Sequence, residues 1–225
     1  MKPRKYRHEV KFVINKKYAE ILQKKLLTIM QIDPYGPNGY YIRSLYFDTP
    51  NSDAYYEKLD GVEYRKKYRI RVYSKKDYDI KLEKKLKHNN MTAKESVSID
   101  KKLCQKIING DLDISFCEND LLKEFYIDMK TKLIRPSVIV DYERIALVYP
   151  ISDIRVTFDS NISSGKYNYD IFDYNFETFP VIEKDLTVLE VKFNEVLPET
   201  IAMILSTIPT CRQAFSKFAE CRSIK

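Results

Sequence analysis

The chain has 225 residues, enough to bury the core of one large domain or two small ones. Hydrophobic residues make up 44% and charged residues 32%, a balance that excludes a disordered chain. The net charge of +7 favours an anionic partner, whether a nucleotide, a nucleic acid, a phosphate polymer or a membrane surface. The charged amino terminus argues against a secretory signal, and no stretch approaches the roughly 20 apolar residues of a membrane span. We therefore expect a cytoplasmic protein.

The first half of the chain alternates predicted strands with short helices. Alternating polar and apolar residues over 8–14 predict a strand, and apolar residues at helical spacing over 16–30 predict an amphipathic helix. The turn residues at 33–39 precede a second predicted strand at 40–48 and a short helix at 53–59. Three further strands are predicted at 64–73, 78–87 and about 92–99.

The second half predicts helices at 100–109, 119–132, 198–207 and 213–221, and strands at 136–149, 153–159 and 187–193. Most strands are apolar on one face, which is typical of antiparallel pairing. No linker divides the chain, so we expect a single α+β domain over residues 1–225. About eight such strands can close into an antiparallel β-barrel, because closure removes the exposed edges.

Cations gather on one face of two neighbouring predicted strands. Successive side chains of a strand point to opposite faces, so every second residue shares a face. One such face carries Arg65, Lys67, Arg69 and Arg71 on the first strand. On the second strand it carries Lys81, Lys85 and Lys87, with the acid Glu83 among them. A solvated surface explains such a face on one strand. Its repetition on several strands, with Arg and Lys dominant, indicates a surface that holds a polyanion.

Three more cations, Arg144, Arg155 and Lys192, also lie within strands rather than loops. A barrel lined in this way repels itself and loses solvation unless an anion fills it, which is the physical reason to infer a ligand. Acids interleave with the cations at positions 9, 83 and 190. They either balance charge between strands or bind a divalent ion that bridges phosphate oxygens. No glycine-rich nucleotide loop is present, and phosphoryl transfer depends mainly on alignment and charge stabilisation.

Several sequence blocks, taken together and in order, resemble the VTC domain. This domain is the polyphosphate polymerase branch of the triphosphate tunnel metalloenzyme (CYTH) superfamily. The blocks lie at residues 7–12, 41–49, 55–61, 65–73, 83–85, 142–144, 155–159, 189–192 and 215–218. The resemblance covers nearly the whole chain, and it is carried by the number and order of the blocks.

The resemblance implies a tunnel of about eight antiparallel strands with flanking helices, binding ATP and inorganic polyphosphate. The γ-phosphate of ATP would be added to a growing polyphosphate chain, and ADP would leave. The residues implied to contact phosphates are Lys11, Arg69, Arg71, Lys85, Arg144, Arg155, Lys192 and Lys217. Tyr142 would help to place the phosphates, with Lys94 joining from a neighbouring strand. Glu190 would hold Mn²⁺ or Mg²⁺.

The chain departs from the superfamily at one position. The superfamily pattern begins ExExK, whereas this chain has Arg7 in place of the first Glu. Loss of that acid argues against a triphosphatase that depends on acidic metal ligands, and it agrees with the polymerase branch. A triphosphate hydrolase and a non-catalytic polyphosphate-binding module remain the alternatives. We expect no nucleic acid partner, because the Tyr residues are typical of strand cores rather than of a stacking surface.

Overall fold

The computed structural model describes residues 5–224, which contain ten strands hydrogen-bonded into one sheet. The strands are β1 (Arg7–Asn15), β2 (Gln31–Ile32), β3 (Tyr40–Asp48), β4 (Tyr64–Tyr73), β5 (Lys76–His88), β6 (Met91–Ile99), β7 (Arg135–Val148), β8 (Arg155–Ser164), β9 (Phe179–Pro180) and β10 (Leu186–Phe193). Eight of them follow the order β7-β3-β4-β5-β6-β1-β10-β8, and pairing of β8 with β7 closes the ring. Every pairing is antiparallel. The prediction of an antiparallel barrel in an α+β fold is therefore confirmed.

α-Helices pack against this barrel, most of them on its outside. They are α1 (Lys16–Leu26), α2 (Asp53–Leu59), α3 (Lys101–Asn109), α4 (Asp120–Thr131), α5 (Glu199–Leu205) and α6 (Lys217–Ser223). One apolar cluster packs α3 and α4 on the outward face of β3, β4 and β5, with Phe125 and Ile70 fully buried. A second cluster packs α1 and α5 on β1, β8 and β10, with Leu22 and Leu189 at its centre. Core packing thus covers the outward faces of these strands, and their charged faces point into the barrel.

The carboxy-terminal segment is the exception, because it forms part of the inner wall. Arg212 bridges to Phe12 of β1, and the backbone N–H of Gln213 donates to the carbonyl of Lys11. The chain then enters α6, whose Phe218 and Cys221 belong to a third apolar cluster with inner residues of β3, β7 and β10. α6 therefore narrows the space enclosed by the strands.

Element boundaries differ from the sequence expectation by more than two residues at three places, each for a local reason. The first helix ends at Leu26 rather than near residue 30, because the N–H groups of Thr28 and Ile29 donate to carbonyls three residues back, at Lys25 and Leu26, and tighten the last turn. β8 continues to Ser164 because it stays paired with β7 beyond an irregularity in register. Residues 213–216 remain extended against β1, so α6 begins only at Lys217. No helix within residues 5–224 is long and apolar enough to cross a membrane.

Candidate functional site: a cationic cavity in the barrel

The barrel strands and α6 enclose a cavity of about 930 Å³. Its cationic lining consists of Lys11, Lys58, Arg65, Lys67, Arg69, Arg71, Lys85, Lys87, Arg144, Lys192, Arg212 and Lys217. Three acids, Glu9, Glu63 and Glu190, also line it, so with every basic side chain counted as charged the lining has nine more cations than anions. The whole chain carries an excess of only seven. The residues outside the cavity therefore have a small acidic excess, and the basicity of the protein is concentrated in this cavity.

Strand alternation produces this lining. On β4, residues 65, 67, 69 and 71 face the cavity, whereas Tyr68, Ile70 and Val72 are buried in the outer cluster with α3 and α4. Lys66, which also points outward, lies 3.0 Å from Glu124 of α4. The same backbone thus separates a core face from a cationic face with a period of two residues.

Glu83 organises two arginines of the cavity wall, Arg69 and Arg71. It is fully buried, and its Oε2 lies 2.7 Å from Nε of Arg69 and 3.8 Å from Nη1 of Arg71. Arg69 also donates to the hydroxyl of Tyr46, and Arg71 donates to the hydroxyl of Tyr142 at 2.9 Å. Burial raises the pKa of Glu83, but Arg69, Arg71 and a lysine outweigh it and hold that pKa far below its usual range. Both guanidinium groups are therefore fixed in place before any ligand enters.

A second cluster joins β1, β5 and β10. Nζ of Lys11 lies 3.1 Å from Glu9 and 3.6 Å from Glu190, so one ammonium group separates two carboxylates. Lys85 binds Glu9 at 2.8 Å, and Lys192 pairs with Glu190. Burial raises the pKa of both carboxyl groups, yet the surrounding ammonium groups hold it well below 4.5. Burial lowers the pKa of Lys192 to about 8, although Glu190 opposes the shift.

A third cluster is built around Asp159 on β8. Arg144 grips its carboxylate with two hydrogen bonds of 2.6 and 2.7 Å, and Lys217 of α6 lies 2.5 Å away. Burial raises the pKa of Asp159, whereas Arg144 and Lys217 bring it down to about 2. Asp159 therefore ties α6 to the barrel and presents two cations to the cavity.

The structure brings most of the predicted site residues together. Those that line the cavity are Lys11, Arg69, Arg71, Lys85, Tyr142, Arg144, Glu190, Lys192 and Lys217. Arg155 and Lys94 are not among the lining residues. Arg155 pairs with Asp33 and donates to the hydroxyl of Tyr40 at 2.8 Å. Lys94 binds the other oxygen of Glu83 at 2.8 Å and is partly exposed.

Sequence reasoning missed several residues of the wall. Tyr46 lies directly opposite Arg69 on the neighbouring strand. Lys67 was placed on the cationic face by the alternation of β4, but it was not predicted to contact phosphate. Lys58 reaches the cavity from α2, and Arg212 reaches it from the extended carboxy-terminal segment. In neither place does an alternating pattern predict which way the side chain points. Asp159 was missed as the organiser of Arg144, because their pairing depends on the register of β7 against β8.

The carboxylates that face the cavity suit a divalent cation bound together with phosphate. Mg²⁺ is usually bound through one or two carboxylates, with substrate phosphates completing its coordination. Glu190 and Glu9 supply two carboxylates on opposite sides of Lys11. Glu83 suits this role less well, because it is not among the lining residues and its two oxygens bind Arg69 and Lys94. Within the described residues, no group of three or more His, Cys, Asp or Glu side chains is arranged to hold a metal alone.

Solved structures with the same fold are known. A Hippeastrum protein named as an adenylyl cyclase, with a dominant triphosphatase activity, has a TM-score of 0.55 and 17% identity, covering 96% of this chain and 95% of that chain. A Bacillus halodurans protein named as an adenylate cyclase has a TM-score of 0.52 and 13% identity, covering 91% and 88% of the two chains. Among curated proteins, none matches the chain significantly.

A closed antiparallel barrel with this likeness defines the class: the chain has the triphosphate tunnel fold. Residues 6–224 match the VTC domain. The chain therefore belongs to the VTC domain family, as its sequence blocks indicate.

Proposed function

We propose that the protein is a metal-dependent polyphosphate polymerase that transfers the γ-phosphate of ATP to inorganic polyphosphate. The observation that carries this proposal is the cavity of a VTC domain with nine more cations than anions in its wall. Such a wall is costly unless it binds an anion of high charge density. ATP and polyphosphate are the partners in this proposal, and the cytoplasm, which supplies ATP, is the proposed location.

The side chains would act by alignment and charge stabilisation. In the transfer, a terminal oxygen of polyphosphate attacks the γ-phosphorus, the bond from that phosphorus to the β–γ bridging oxygen breaks, and ADP leaves. Arg69, Arg71 and Arg144 are already fixed by Glu83 and Asp159, so they stabilise the developing charge without reorganising. Lys11, Lys85, Lys192 and Lys217 add point charges along the path of the phosphates. Mg²⁺ or Mn²⁺, held by Glu190 with Glu9, would neutralise phosphate charge as a Lewis acid.

The alternative is a hydrolase in which water replaces the polyphosphate oxygen as the nucleophile. Arg7 replaces an acid of the superfamily pattern at the start of β1, opposite Thr92 of β6. Two of the three acids that line the cavity, Glu9 and Glu190, flank Lys11. This smaller acid set supports the polymerase over a hydrolase that relies on several acidic metal ligands.

The test is incubation with γ-labelled ATP and Mn²⁺, followed by separation of products by size. A ladder of labelled polymer is the expected result. Label released only as free phosphate would replace the polymerase by the hydrolase, and tight binding without turnover would leave a polyphosphate-binding module. Lys66→Ala is the matched active control, because Lys66 lies on β4 but points away from the cavity.

A further inference from the structure

Three lysines lie side by side across β4, β5 and β6. Lys67 is directly opposite Lys85 in the register of β4 and β5, and Lys85 is directly opposite Lys94 in the register of β5 and β6. Side chains opposite each other on antiparallel strands have Cβ atoms about 5 Å apart, and like charges there destabilise the sheet. This row of three lysines therefore needs negative charge nearby.

Within residues 5–224, carboxylates pair with only two of these three lysines. Glu9 binds Lys85 at 2.8 Å, and Glu83 binds Lys94 at 2.8 Å. Lys67 has no ion pair within residues 5–224, and its Nζ lies 4.5 Å from the centre of the Phe218 ring. A ring face stabilises an ammonium group less than a carboxylate does.

The four charged groups that act most strongly on Lys67 are cations, and they come from several elements. Lys85 belongs to β5, Lys11 to β1, Arg65 to β4 and Lys58 to α2. Burial lowers the pKa of Lys67, and these four cations lower it further, well below the usual value of 10.5. A proton on this amine is therefore unfavourable while the cavity holds no anion.

We propose that Lys67 is a phosphate-binding residue that takes up a proton when a polyanion enters the cavity. An entering phosphate supplies the negative charge that the row lacks at this position, and the amine then binds it as an ammonium donor. Lys67 would make the affinity for polyphosphate depend on pH. This inference rests on the proposed function only in that it requires the cavity to bind polyphosphate.

Linkage fixes the direction of the pH dependence. Below the pKa that Lys67 has in the empty cavity, the amine is protonated whether the cavity is empty or filled. It then adds nothing to the change of affinity with pH. Above that pKa, each unit of pH weakens binding by roughly tenfold for one proton taken up, until the pKa of the filled state is reached. Replacing Lys67 with Arg removes this slope, because a guanidinium group stays charged throughout.

The experiment is isothermal titration calorimetry of the metal-free protein with inorganic tripolyphosphate at mildly alkaline pH. Repeating it in buffers of different ionisation enthalpy gives the number of protons taken up. The wild type is expected to take up about one proton more than Lys67→Arg, since tripolyphosphate and Lys192 contribute equally to both. Lys67→Met should bind tripolyphosphate more weakly than the wild type does. It should also take up fewer protons than the wild type, as Lys67→Arg does.

Equal proton uptake by the wild type and both variants would overturn the role of Lys67 and leave the proposed function standing. Absence of tripolyphosphate binding by the wild type, both without metal and with added Mg²⁺, would instead overturn polyphosphate binding by the cavity, and the proposed function with it. The two failures are therefore distinguished by whether heat of binding is observed at all.

Discussion

Single carboxylates determine how the cations of the cavity are presented. Glu83 fixes Arg69, Asp159 fixes Arg144, and each of these pairs is largely removed from solvent. Buried ion pairs of this kind contribute little net stability, but removal of one partner leaves an uncompensated charge. The sequence alone predicts relief of repulsion when an arginine is removed, whereas the observed pairing predicts a loss of stability.

Arg69→Ala should therefore reduce both activity and stability. Loss of one preorganised donor to the transferred phosphate is expected to lower the rate of polymer synthesis by about 100-fold or more. The free energy of unfolding should fall as well, because among residues 5–224 Glu83 keeps only Lys94 and the more distant Arg71 as partners. Initial rates with labelled ATP and urea unfolding measure the two effects. Lys66→Ala should retain the rate, and an Arg69→Ala variant as active as the wild type would contradict the proposed role.

Asp159 should make the fold sensitive to acid in a defined range of pH. Its pKa is about 2 in the folded protein against an ordinary value of 3.8. A lowered pKa means that its stabilisation is complete above about pH 4 and is lost as the pH falls towards 2, a difference of about 2 kcal/mol. The free energy of unfolding should fall less steeply with acid in Asp159→Asn than in the wild type. Equal slopes in urea unfolding series over this range would contradict the pairing with Arg144 and Lys217.

At the scale of elements, the carboxy-terminal segment completes the site. Arg212 and Gln213 run along β1, and α6 then places Lys217 and Phe218 in the cavity wall. The Phe218 ring lies 5.1 Å from the ring of Tyr46 on β3. The last part of the chain thus bridges opposite sides of the barrel, so the site is assembled only when the whole domain has folded.

Phe218→Ala should expose how much α6 depends on this contact. The side chain is 2% exposed, and loss of a buried phenylalanine costs about 3–5 kcal/mol. Phe218→Leu keeps most of the apolar volume and should cost much less. Urea unfolding of the two variants measures the difference. Equal stabilities would show that the ring does not anchor α6.

The sequence predicts the barrel well where a strand alternates charged and apolar residues, as β4 does. The inward position of Arg69 follows from this period of two. The partners of the cations do not follow, because pairs such as Arg144 with Asp159 depend on strand register, which the sequence pattern leaves open. Arg155 lies on a correctly predicted strand, yet its side chain pairs with Asp33 in a loop outside the periodic pattern. Alternation predicts which face of a strand a residue lies on. Contacts with irregular segments determine which partner a long side chain binds.

At the scale of the whole molecule, charge is segregated between the inside and the outside. The cavity wall carries nine more cations than anions, whereas the chain as a whole carries seven. An eight-stranded barrel has room for side chains or one small ligand, which excludes a nucleic acid duplex. Fluorescence anisotropy at low salt should therefore show binding of labelled polyphosphate and no comparable binding of a short DNA duplex. Equal affinity for the two would place the anion site on the outer surface.

Filling the cavity should stabilise the whole fold, because the unliganded barrel carries repulsion that an anion relieves. A ligand at 100 times its Kd adds about 2.7 kcal/mol to the stability of the state that binds it. For a domain of this size, such a gain corresponds to a Tm increase of roughly 5–10 °C. Differential scanning calorimetry with tripolyphosphate should show this increase, and sodium chloride at equal ionic strength should not. A smaller increase is expected in Arg69→Ala. An increase of the same size with sodium chloride would mean that general screening, rather than an anion held in the barrel, relieves the repulsion.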